Sequence, residues 1–505
     1  MFSKTRHLIV QGAAPAALAA LLLAGCGTKV VNPVTGREER TVMNEASEIA
    51  EGAKAHQQVL AEYSALANPR LQAYVNDVGQ KLAATSHRAN LKWTFTVLDS
   101  PEVNAFALPG GYVYITRGIM AFLDSEAELA GVVGHEIGHV TARHGAQRAT
   151  RQQNAGLGVL AAAVLGVALE GAGVRGAADL AMQAGQGAAA GYVARYSREQ
   201  ELQADQLGAE YLSRNRYDPR NMVDVIGVLK SQERFAADQA RAEGRTASEG
   251  GGWLASHPSN DQRLADIRNI AATFQGSFVD DGRARYLAAI DGMGFGESKS
   301  QGVTRGRNFY HEELDIALTA PPGWRVQNSA EAIALVNAAG DAGLVVRLVP
   351  ANAGSTHDEI IRNVVKPSEG RVERRSFNGL AATHFSGSRR NAQGQAQPLQ
   401  VTLVTGPGQR NYLMQYSARD AATLRRAEAD MEQAESSFRA LSAAERVAAK
   451  PWQLRSVPMP RGGFAELARN WPQAPDKAES KLRLLNAMYG SGAEPTQGQM
   501  VKTVR

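Results

Sequence analysis

Cysteine is nearly absent, because the 505 residues contain only one, Cys26. A single thiol forms no intramolecular disulfide, so stability must come from packed cores and bound groups. A large excess of one sign of charge is also lacking, since the chain has 55 Lys and Arg residues and 50 Asp and Glu residues. The net charge of +5 and the lack of a long basic run argue against nucleic acid as a partner.

Apolar runs are short, and none reaches the roughly twenty residues that a membrane-spanning helix needs. The first run, 13–23, follows Lys4 and Arg6 and has the layout of an export signal. The second run, 155–169, is uncharged. It indicates a buried helix or a lid over a cleft in preference to a transmembrane helix.

The first apolar run ends in Leu23-Ala24-Gly25-Cys26. This resembles the lipobox of bacterial lipoproteins, in which the signal peptide 1–25 is removed and Cys26 is lipidated. A plain secretory signal with a stray cysteine is the alternative. Lipid would anchor an otherwise soluble protein to a membrane. Since Gly27 and not aspartate follows the cysteine, we expect an outer-membrane lipoprotein on the periplasmic face.

The length predicts two or three domains. After an anchored segment 26–40, helical periodicity dominates 41–295 and leaves room for a small sheet. Residues 300–445 alternate in strand-like runs and end in a helix, which predicts an α+β domain without a catalytic constellation. Residues 450–505 form a last small unit. The predicted fold class is α+β, multidomain.

The stretch 132–140, VVGHEIGHV, carries the clearest chemical pattern. Residues four apart share a helix face, so His135 and His139 can point their imidazoles at one ion. Glu136 is offset by one position and can take a proton from a water bound to zinc. Solvated polar residues are the alternative, so the motif needs a third ligand.

The third ligand is predicted on a later helix. A histidine in the metzincin position is excluded because Gly145 stands there, and His144, one residue out of phase, is expected at the surface or as a helix cap. In 197–212, Glu201 and Asp205 share a face. Glu201 would be the ligand, and Asp205 would hydrogen-bond a ligating histidine from behind. The other glutamates that this segment offers as ligands are Glu199 and Glu210.

These blocks, in this order over roughly 40–275, resemble the M48 peptidases, which are HExxH zinc metallopeptidases of the gluzincin type. The matching pieces are Asn104-Ala105, Pro109-Gly110-Gly111, His135-Glu136-Ile137-Gly138-His139, Glu201-Leu202-Gln203-Ala204-Asp205, and His257-Pro258 followed by Arg263. The lipobox points to the secreted bacterial branch of the family and not to its multispan membrane branch.

The resemblance implies a mainly helical gluzincin-type domain with a small β-sheet and one Zn²⁺ per chain. This ion would be held by His135, His139 and Glu201, with Glu136 as general base. It also implies that the strand at Asn104 and Ala105 lies beside the substrate peptide, which would pair with it by strand addition.

His257 and Arg263 remain open. His257 precedes a proline, is held extended, and can project into the cleft. It would donate a hydrogen bond to the developing oxyanion, occupy the open position of zinc and hold the enzyme inactive, or only cap a loop. Arg263 would bind substrate or stabilise charge, or would form a structural salt bridge.

The C-terminal 454–504 loosely resemble a LysM peptidoglycan-binding module, through Gly462 to Ala468, Leu482 to Asn486 and Pro495 to Gln499. The usual Gly-Asp-Thr opening is Gly-Gly-Phe here. A packing appendage or a protein-docking piece is the alternative.

The leading hypothesis is an envelope-anchored zinc metalloendopeptidase that hydrolyses unfolded or misassembled outer-membrane proteins. Its partners would be those substrates, the outer membrane through Cys26, and peptidoglycan or the outer-membrane assembly machinery. A second hypothesis is an assembly factor or chaperone with a latent, autoinhibited peptidase site. A third is a peptidoglycan hydrolase.

Overall fold

The structure is a computed structural model that describes residues 28–153, 196–242, 253, 257, 261–329, 332–390, 394–491 and 493–505. The predicted lipidation site Cys26 and the apolar run 155–169 lie outside the described residues. The chain divides into two compact units. The first comprises Met1–Met293, Arg455–Phe464 and Ser480–Thr503, and the second Gly294–Leu454, Ala465–Glu479 and Val504–Arg505.

The first unit is mainly helical, with small sheets, as the sequence predicts. Its helices are α1 (Glu45–Glu62), α2 (Pro69–Ala83), α3 (Arg117–Phe122), α4 (Glu126–Thr141), α5 (Arg198–Arg214), α6 (Asn221–Ala242), α7 (Asp261–Thr273) and α8 (Arg283–Ile290). Its strands are β1 (Thr28–Val31), β2 (Glu38–Thr41), β3 (Thr94–Leu98), β4 (Ala105–Leu108) and β5 (Tyr112–Thr116).

A three-stranded sheet of order β3-β5-β4 supports the helix that carries the histidines. Strands β3 and β5 are parallel, and β4 pairs antiparallel with β5 through a tight turn. Gly110 and Gly111 in this turn have φ values of +83° and +97°, which residues with a Cβ rarely adopt. The small β-sheet expected in this region is confirmed, and β4 packs against α4 at the edge of the sheet.

All 16 residues of α4 are buried, which explains why apolar residues and glycine occupy most of its positions between the first-turn glutamates and the HExxH motif. Ser125 caps its start by accepting from the Glu128 amide at 3.1 Å. Glu128 in turn accepts from the amide of Asp124. The helix ends at Thr141, because Arg143 has a left-handed φ of +56° and turns the chain.

Glycines bring α4 and α5 unusually close. A Cβ on Gly138 would lie 2.8 Å from the carbonyl oxygen of Ala204, and one on Gly208 would lie 3.1 Å from the amide nitrogen of His135. The two backbones therefore touch at the level of the predicted ligands. The predicted ligands on the two helices can therefore reach a common metal ion.

Residues 28–41 form a β-hairpin, which the prediction of a plain anchored segment for 26–40 did not include. Strands β1 and β2 pair antiparallel, with Val31 opposite Glu38. Asn32 and Gly36 lie in the connecting turn, and the Gly36 φ of +66° suits glycine. The Asn-Pro dipeptide and the glycine are turn signals that the sequence does contain.

The second unit combines antiparallel sheets with helices, and the domain bounds 300–445 stay a prediction. Its elements are β6 (Gly294–Phe295), β7 (Val303–Arg305), β8 (Asn308–His311), β9 (Ile316–Thr319), β10 (Arg325–Asn328), β11 (Ile333–Val336), β12 (Ala342–Leu348), α9 (His357–Ile360), β13 (Glu369–Phe377), β14 (Leu380–Arg390), β15 (Ala396–Thr405), β16 (Asn411–Ala418), α10 (Ala421–Ser436), β17 (Arg439–Ala440) and α11 (Ala443–Ala448). One antiparallel sheet has the order β10-β11-β12-β16-β15-β14-β13, and a smaller one has the order β17-β9-β8-β7. Met431 of α10 packs against the large sheet in the core.

The C-terminal region contains β18 (Trp452–Pro458), α12 (Gly463–Arg469), α13 (Ala478–Leu485) and β19 (Met500–Val504). Its residues are divided between the two units. A LysM-like module within 450–505 therefore stays a prediction. Across the described residues, we find no helix with the length and apolar character of a membrane span.

Candidate metal centre

Four side chains converge in the first unit: His135 and His139 from α4, Glu201 from α5, and His257. One potential ligand atom from each lies within 4.8 Å of the others, and all four residues are buried. The alternative ligands proposed for the third position lie elsewhere. Glu199 is exposed, and Glu210 forms an ion pair with Arg214.

The ring nitrogens of the cluster face one another. His139 Nε2 lies 3.0 Å from His135 Nε2, and Glu201 Oε1 lies 3.5 Å from His139 Nε2. His257 Nδ1 lies 3.2 Å from His135 Nε2 and 3.0 Å from Glu201 Oε1. Nitrogen lone pairs at such distances repel unless a proton or a cation lies between them. The arrangement is therefore one that a cation would stabilise.

The charges and donor atoms of the cluster fit a divalent metal. The site contains three buried carboxylates, Glu136, Glu201 and Asp205, and one buried guanidinium, Arg263, which pairs with two of them, so a dication would neutralise the group. Burial raises the pKa of Glu201 to about 7, against the pull of Arg263. His257 Nε2 makes no hydrogen bond within the described residues. Imidazole nitrogens with a carboxylate oxygen are the donors that zinc accepts.

Asp205 and Arg263 stand behind the cluster. Asp205 Oδ1 lies 2.8 Å from His135 Nδ1, the contact predicted from the sequence. The Arg263 guanidinium donates to both Asp205 oxygens at 2.9 Å, and its Nη1 lies 2.8 Å from Glu201 Oε2. Burial opposes ionisation of Asp205, but Arg263 and His135 outweigh it and hold the Asp205 pKa below its usual range. Arg263 is 2% exposed, and these contacts are those of a structural salt bridge, which was the alternative given for this residue. Substrate binding by Arg263 stays a prediction.

Glu136 lies beside the cluster and not in it, as its offset on the helix predicts. The indole Nε1 of Trp253 donates to Glu136 Oε1 at 3.0 Å, and His257 Nε2 lies 3.5 Å from the same oxygen. Burial raises the pKa of Glu136, which favours a carboxyl able to hold a proton. Trp253 also stacks on His257 with ring centroids 4.7 Å apart.

With this geometry established, comparison with known proteins gives the family. Residues 69–271 match peptidase family M48. The family recognised from the sequence is confirmed for this part of the chain, and so is zinc as the metal that the cluster would take.

Curated relatives agree. The beta-barrel assembly-enhancing protease of Yersinia pestis is 30% identical over 243 residues, which are 47% of this chain and 47% of the relative. The Escherichia coli K12 protein of the same name is 28% identical over 47% of this chain and 46% of its own length. The mitochondrial metalloendopeptidase OMA1 of Schizosaccharomyces pombe is 30% identical over 42% of this chain and 58% of its own length. The chain thus spans about half the length of the first curated relatives that it matches.

The position predicted for His144 is wrong. His144 is fully buried and not a surface or capping residue. Because Arg143 turns the chain, the His144 Nδ1 lies 2.8 Å from His139 Nδ1. Burial lowers the pKa of His144 to about 4, so the ring is neutral at physiological pH. The left-handed turn at Arg143, which directs His144 inward, has no signal in the spacing of the motif.

Trp253 and Tyr196 were not predicted. The Tyr196 ring stacks on His139 with centroids 4.1 Å apart, and it immediately precedes the residue that caps α5, Ser197. Trp253 lies four residues before His257. An aromatic residue adjoining a motif is a weak signal, because the same pattern is common in cores.

Asn104 and Ala105 lie at the edge strand β4. The Val103 carbonyl accepts from the Trp253 amide at 2.8 Å, and the Asn104 carbonyl accepts from the Thr116 amide at 3.0 Å. Ala105 pairs with Ile115 of β5. Ala107 and Leu108 of the same strand line a small cavity with His139 and Tyr196. A peptide along this strand would pass close to the cluster, and its contact with Asn104 and Ala105 stays a prediction.

Proposed function

We propose that the chain is a zinc-dependent metalloendopeptidase that hydrolyses unfolded or misassembled proteins of the bacterial envelope. The observation that carries the proposal is the position of Glu136. Its carboxylate is held by Trp253 and lies 3.5 Å from Nε2 of His257, whose Nδ1 contacts His135 and Glu201 of the group that can hold zinc. A carboxyl beside a metal site, and outside its ligand set, is the arrangement that peptide hydrolysis needs.

His135, His139 and Glu201 would hold the zinc, which when bound supplies Lewis acidity to a carbonyl and a lowered pKa to water. Glu136 would take the proton of the attacking water and return it to the leaving amine. The Trp253 indole orients the Glu136 carboxylate for this transfer. His257 is close enough to Glu136 to donate a hydrogen bond to the developing oxyanion.

The edge strand β4 supports a substrate in extended form. An unfolded segment can add to a free sheet edge with backbone hydrogen bonds alone, so the choice of substrate rests on unfolding more than on sequence. Asn104 and Ala105 would begin this contact. Folded proteins present few such segments, which suits an enzyme that must spare its folded neighbours.

The envelope setting rests on the names of the relatives and on the signal at Cys26. Two relatives are called beta-barrel assembly-enhancing proteases, which supports outer-membrane proteins or their assembly machinery as partners. Lipidation of Cys26 would hold the enzyme at the outer membrane on the periplasmic face. Peptidoglycan as a partner rests on the LysM-like segment alone.

The first test is cleavage of casein by the full chain purified in detergent and loaded with zinc. We expect Glu136→Gln to keep stoichiometric zinc and lose cleavage by a factor of about 10³ or more, because only the proton transfer is removed. Zinc content is measured on the same samples. Cleavage by Glu136→Gln at the parent rate would contradict the proposed role of Glu136.

A second candidate function, an assembly factor with a latent peptidase, is favoured by His257. This residue is 1% exposed and its imidazole contacts both Glu136 and Glu201, where it can block the site. In this case His257→Ala would cleave casein faster than the parent. If His257 assists catalysis, the same substitution slows cleavage instead. In cells, a latent peptidase predicts that Glu136→Gln still supports outer-membrane assembly.

A further inference from the structure

The nitrogen of His139 that faces away from the cluster begins a chain of buried hydrogen bonds. His139 Nδ1 contacts His144 Nδ1 at 2.8 Å, and His144 Nε2 contacts Gln203 Oε1 at 3.0 Å. The same Gln203 oxygen accepts from Asn32 Nδ2 at 2.9 Å. The chain of contacts ends in the β1–β2 hairpin, which is 171 residues away from Gln203 in sequence.

We propose that Asn32, Gln203 and His144 are positioning residues for zinc, which hold His139 through a directed hydrogen-bond relay from the N-terminal hairpin. The proposal rests on the metal site described above. It assigns to the hairpin a part in metal binding that neither the HExxH motif nor the later glutamate contains.

The direction of the relay is fixed at its outer end. Asn32 Oδ1 accepts from the backbone amides of Val34 at 2.9 Å and Thr35 at 3.2 Å. The amide orientation of Asn32 is thereby determined, and Nδ2 must be the donor toward Gln203. The second proton of Nδ2 goes to Glu39 Oε1 at 2.9 Å.

Donors and acceptors can be assigned in the same way from Gln203 to the metal cluster. Gln203 Oε1 accepts from Asn32 and has a second lone pair, so His144 Nε2 carries a proton and donates it there. A neutral His144 then has a bare Nδ1, which accepts from His139 Nδ1–H. His139 Nε2, on the cluster side, is left with its lone pair free for a metal.

The two histidines of α4 are therefore held by different means. His135 is oriented by the carboxylate of Asp205, whereas His139 is oriented by a neutral ring. A carboxylate raises the basicity of its histidine, so His135 gains an electrostatic contribution that His139 lacks. His139 depends instead on the exact placement of His144. His144, Asn32 and Gln203 are 0%, 2% and 7% exposed, so no water replaces a missing link easily.

The test measures zinc binding by the full chain, by competition with a chelator, together with the rate of zinc release. We expect His144→Ala to weaken zinc affinity by about 10- to 100-fold, as loss of a supporting group does. Asn32→Ala acts through two further bonds and should weaken affinity by about fivefold, the ratio for one neutral hydrogen bond. Lys29→Ala, which removes an exposed ion pair in the same hairpin, is the control and should bind as the parent does.

Gln203 offers a matched pair that separates the relay from packing. Gln203→Glu keeps an acceptor for both His144 and Asn32, whereas Gln203→Met keeps the volume and loses the acceptor. We expect zinc affinity at least equal to the parent's for the first, because a carboxylate acceptor makes His144 more basic, and weakened affinity for the second. Imidazole NMR of the zinc form should show the His139 Nδ1 proton in the parent and Gln203→Glu, and its loss in His144→Ala. If His144→Ala fails to fold, the Gln203 pair decides.

The outcomes separate the relay from the proposed enzyme. A parent that binds zinc, with His144→Ala and Gln203→Met binding and releasing it at the parent values, overturns the relay and leaves the peptidase intact. A parent that binds zinc and does not cleave casein leaves the relay in place and removes the proposed function. A parent that binds no zinc overturns both.

Discussion

At the scale of single residues, Arg263 balances the charge of the site. It is buried and pairs with both Asp205 and Glu201. We expect Arg263→Met to lower the free energy of unfolding of the zinc-free protein by about 3–5 kcal/mol, because two buried carboxylates lose their counter-charge. Zinc should restore part of the loss by supplying positive charge. Chemical denaturation with and without zinc measures both quantities.

A matched exposed arginine gives the control. Arg220 pairs with Asp218 at the surface, with its side chain 75% exposed, and its replacement by Met should leave the free energy of unfolding nearly unchanged. An Arg263→Met protein as stable as this control would show that the carboxylates near Arg263 are already protonated or hydrated.

Residue spacing alone identified those site residues that share one helix. His135, Glu136 and His139 follow from the period of α4, and Glu201 with Asp205 follows from the same period in α5. His144 and Asn32 could not be found this way. Their roles depend on a left-handed turn at Arg143 and on a contact across 171 residues, and neither leaves a periodic signal.

At the scale of elements, the contact of α4 with α5 determines how closely the ligands approach. Gly138→Ala would press a methyl group against the backbone of Ala204, 2.8 Å from its carbonyl oxygen. Backbone cannot move aside as a flexible side chain does. We expect a loss of about 1–3 kcal/mol in the free energy of unfolding and weaker zinc binding, because His139 moves away from Glu201.

Gly227 in α6 serves as the control for this substitution. A Cβ at Gly227 meets nothing within 4 Å, so Gly227→Ala should be neutral or stabilise by up to about 1 kcal/mol through helix propensity. Thermal unfolding and zinc titration of the two variants side by side measure the difference. Equal zinc affinity would mean that the helices separate without disturbing the ligands.

Element boundaries were predicted less well than element types. The helix at α4 was predicted from the HExxH motif, but its end at Thr141 was not, because the left-handed residue Arg143 that ends it leaves no periodic signal. The β1–β2 hairpin was missed, since four-residue strands with exposed charges lack the alternation that indicates a half-buried strand.

At the scale of the whole molecule, the C-terminal end of the chain supports the start of the α4 helix. The Lys502 ammonium is fully buried and donates to the carbonyls of Ala121 at 3.0 Å and Leu123 at 2.7 Å. Its Nζ also lies 3.1 Å from Asp124 Oδ1. We expect Lys502→Met to cost about 3 kcal/mol of unfolding free energy, because these acceptors lose their donor in a dry site.

Lys299→Met is the matching control, since Lys299 is 53% exposed and its ion pair with Glu312 is at the surface. Urea denaturation of both variants tests the difference. A Lys502→Met protein that unfolds at the same urea concentration as the Lys299→Met protein would show that the C-terminal strand does not stabilise this part of the fold.

The docking of Asn32 also sets the length of a tether. Asn32 is the sixth residue after Cys26, and a fully extended chain gains at most about 3.6 Å per residue, or about 20 Å in all. With Cys26 lipidated as proposed, the first fixed point of the catalytic unit would stay within that height of the bilayer. Such an enzyme would survey the membrane surface and not the depth of the periplasm, and lengthening the tether would change which proteins it meets.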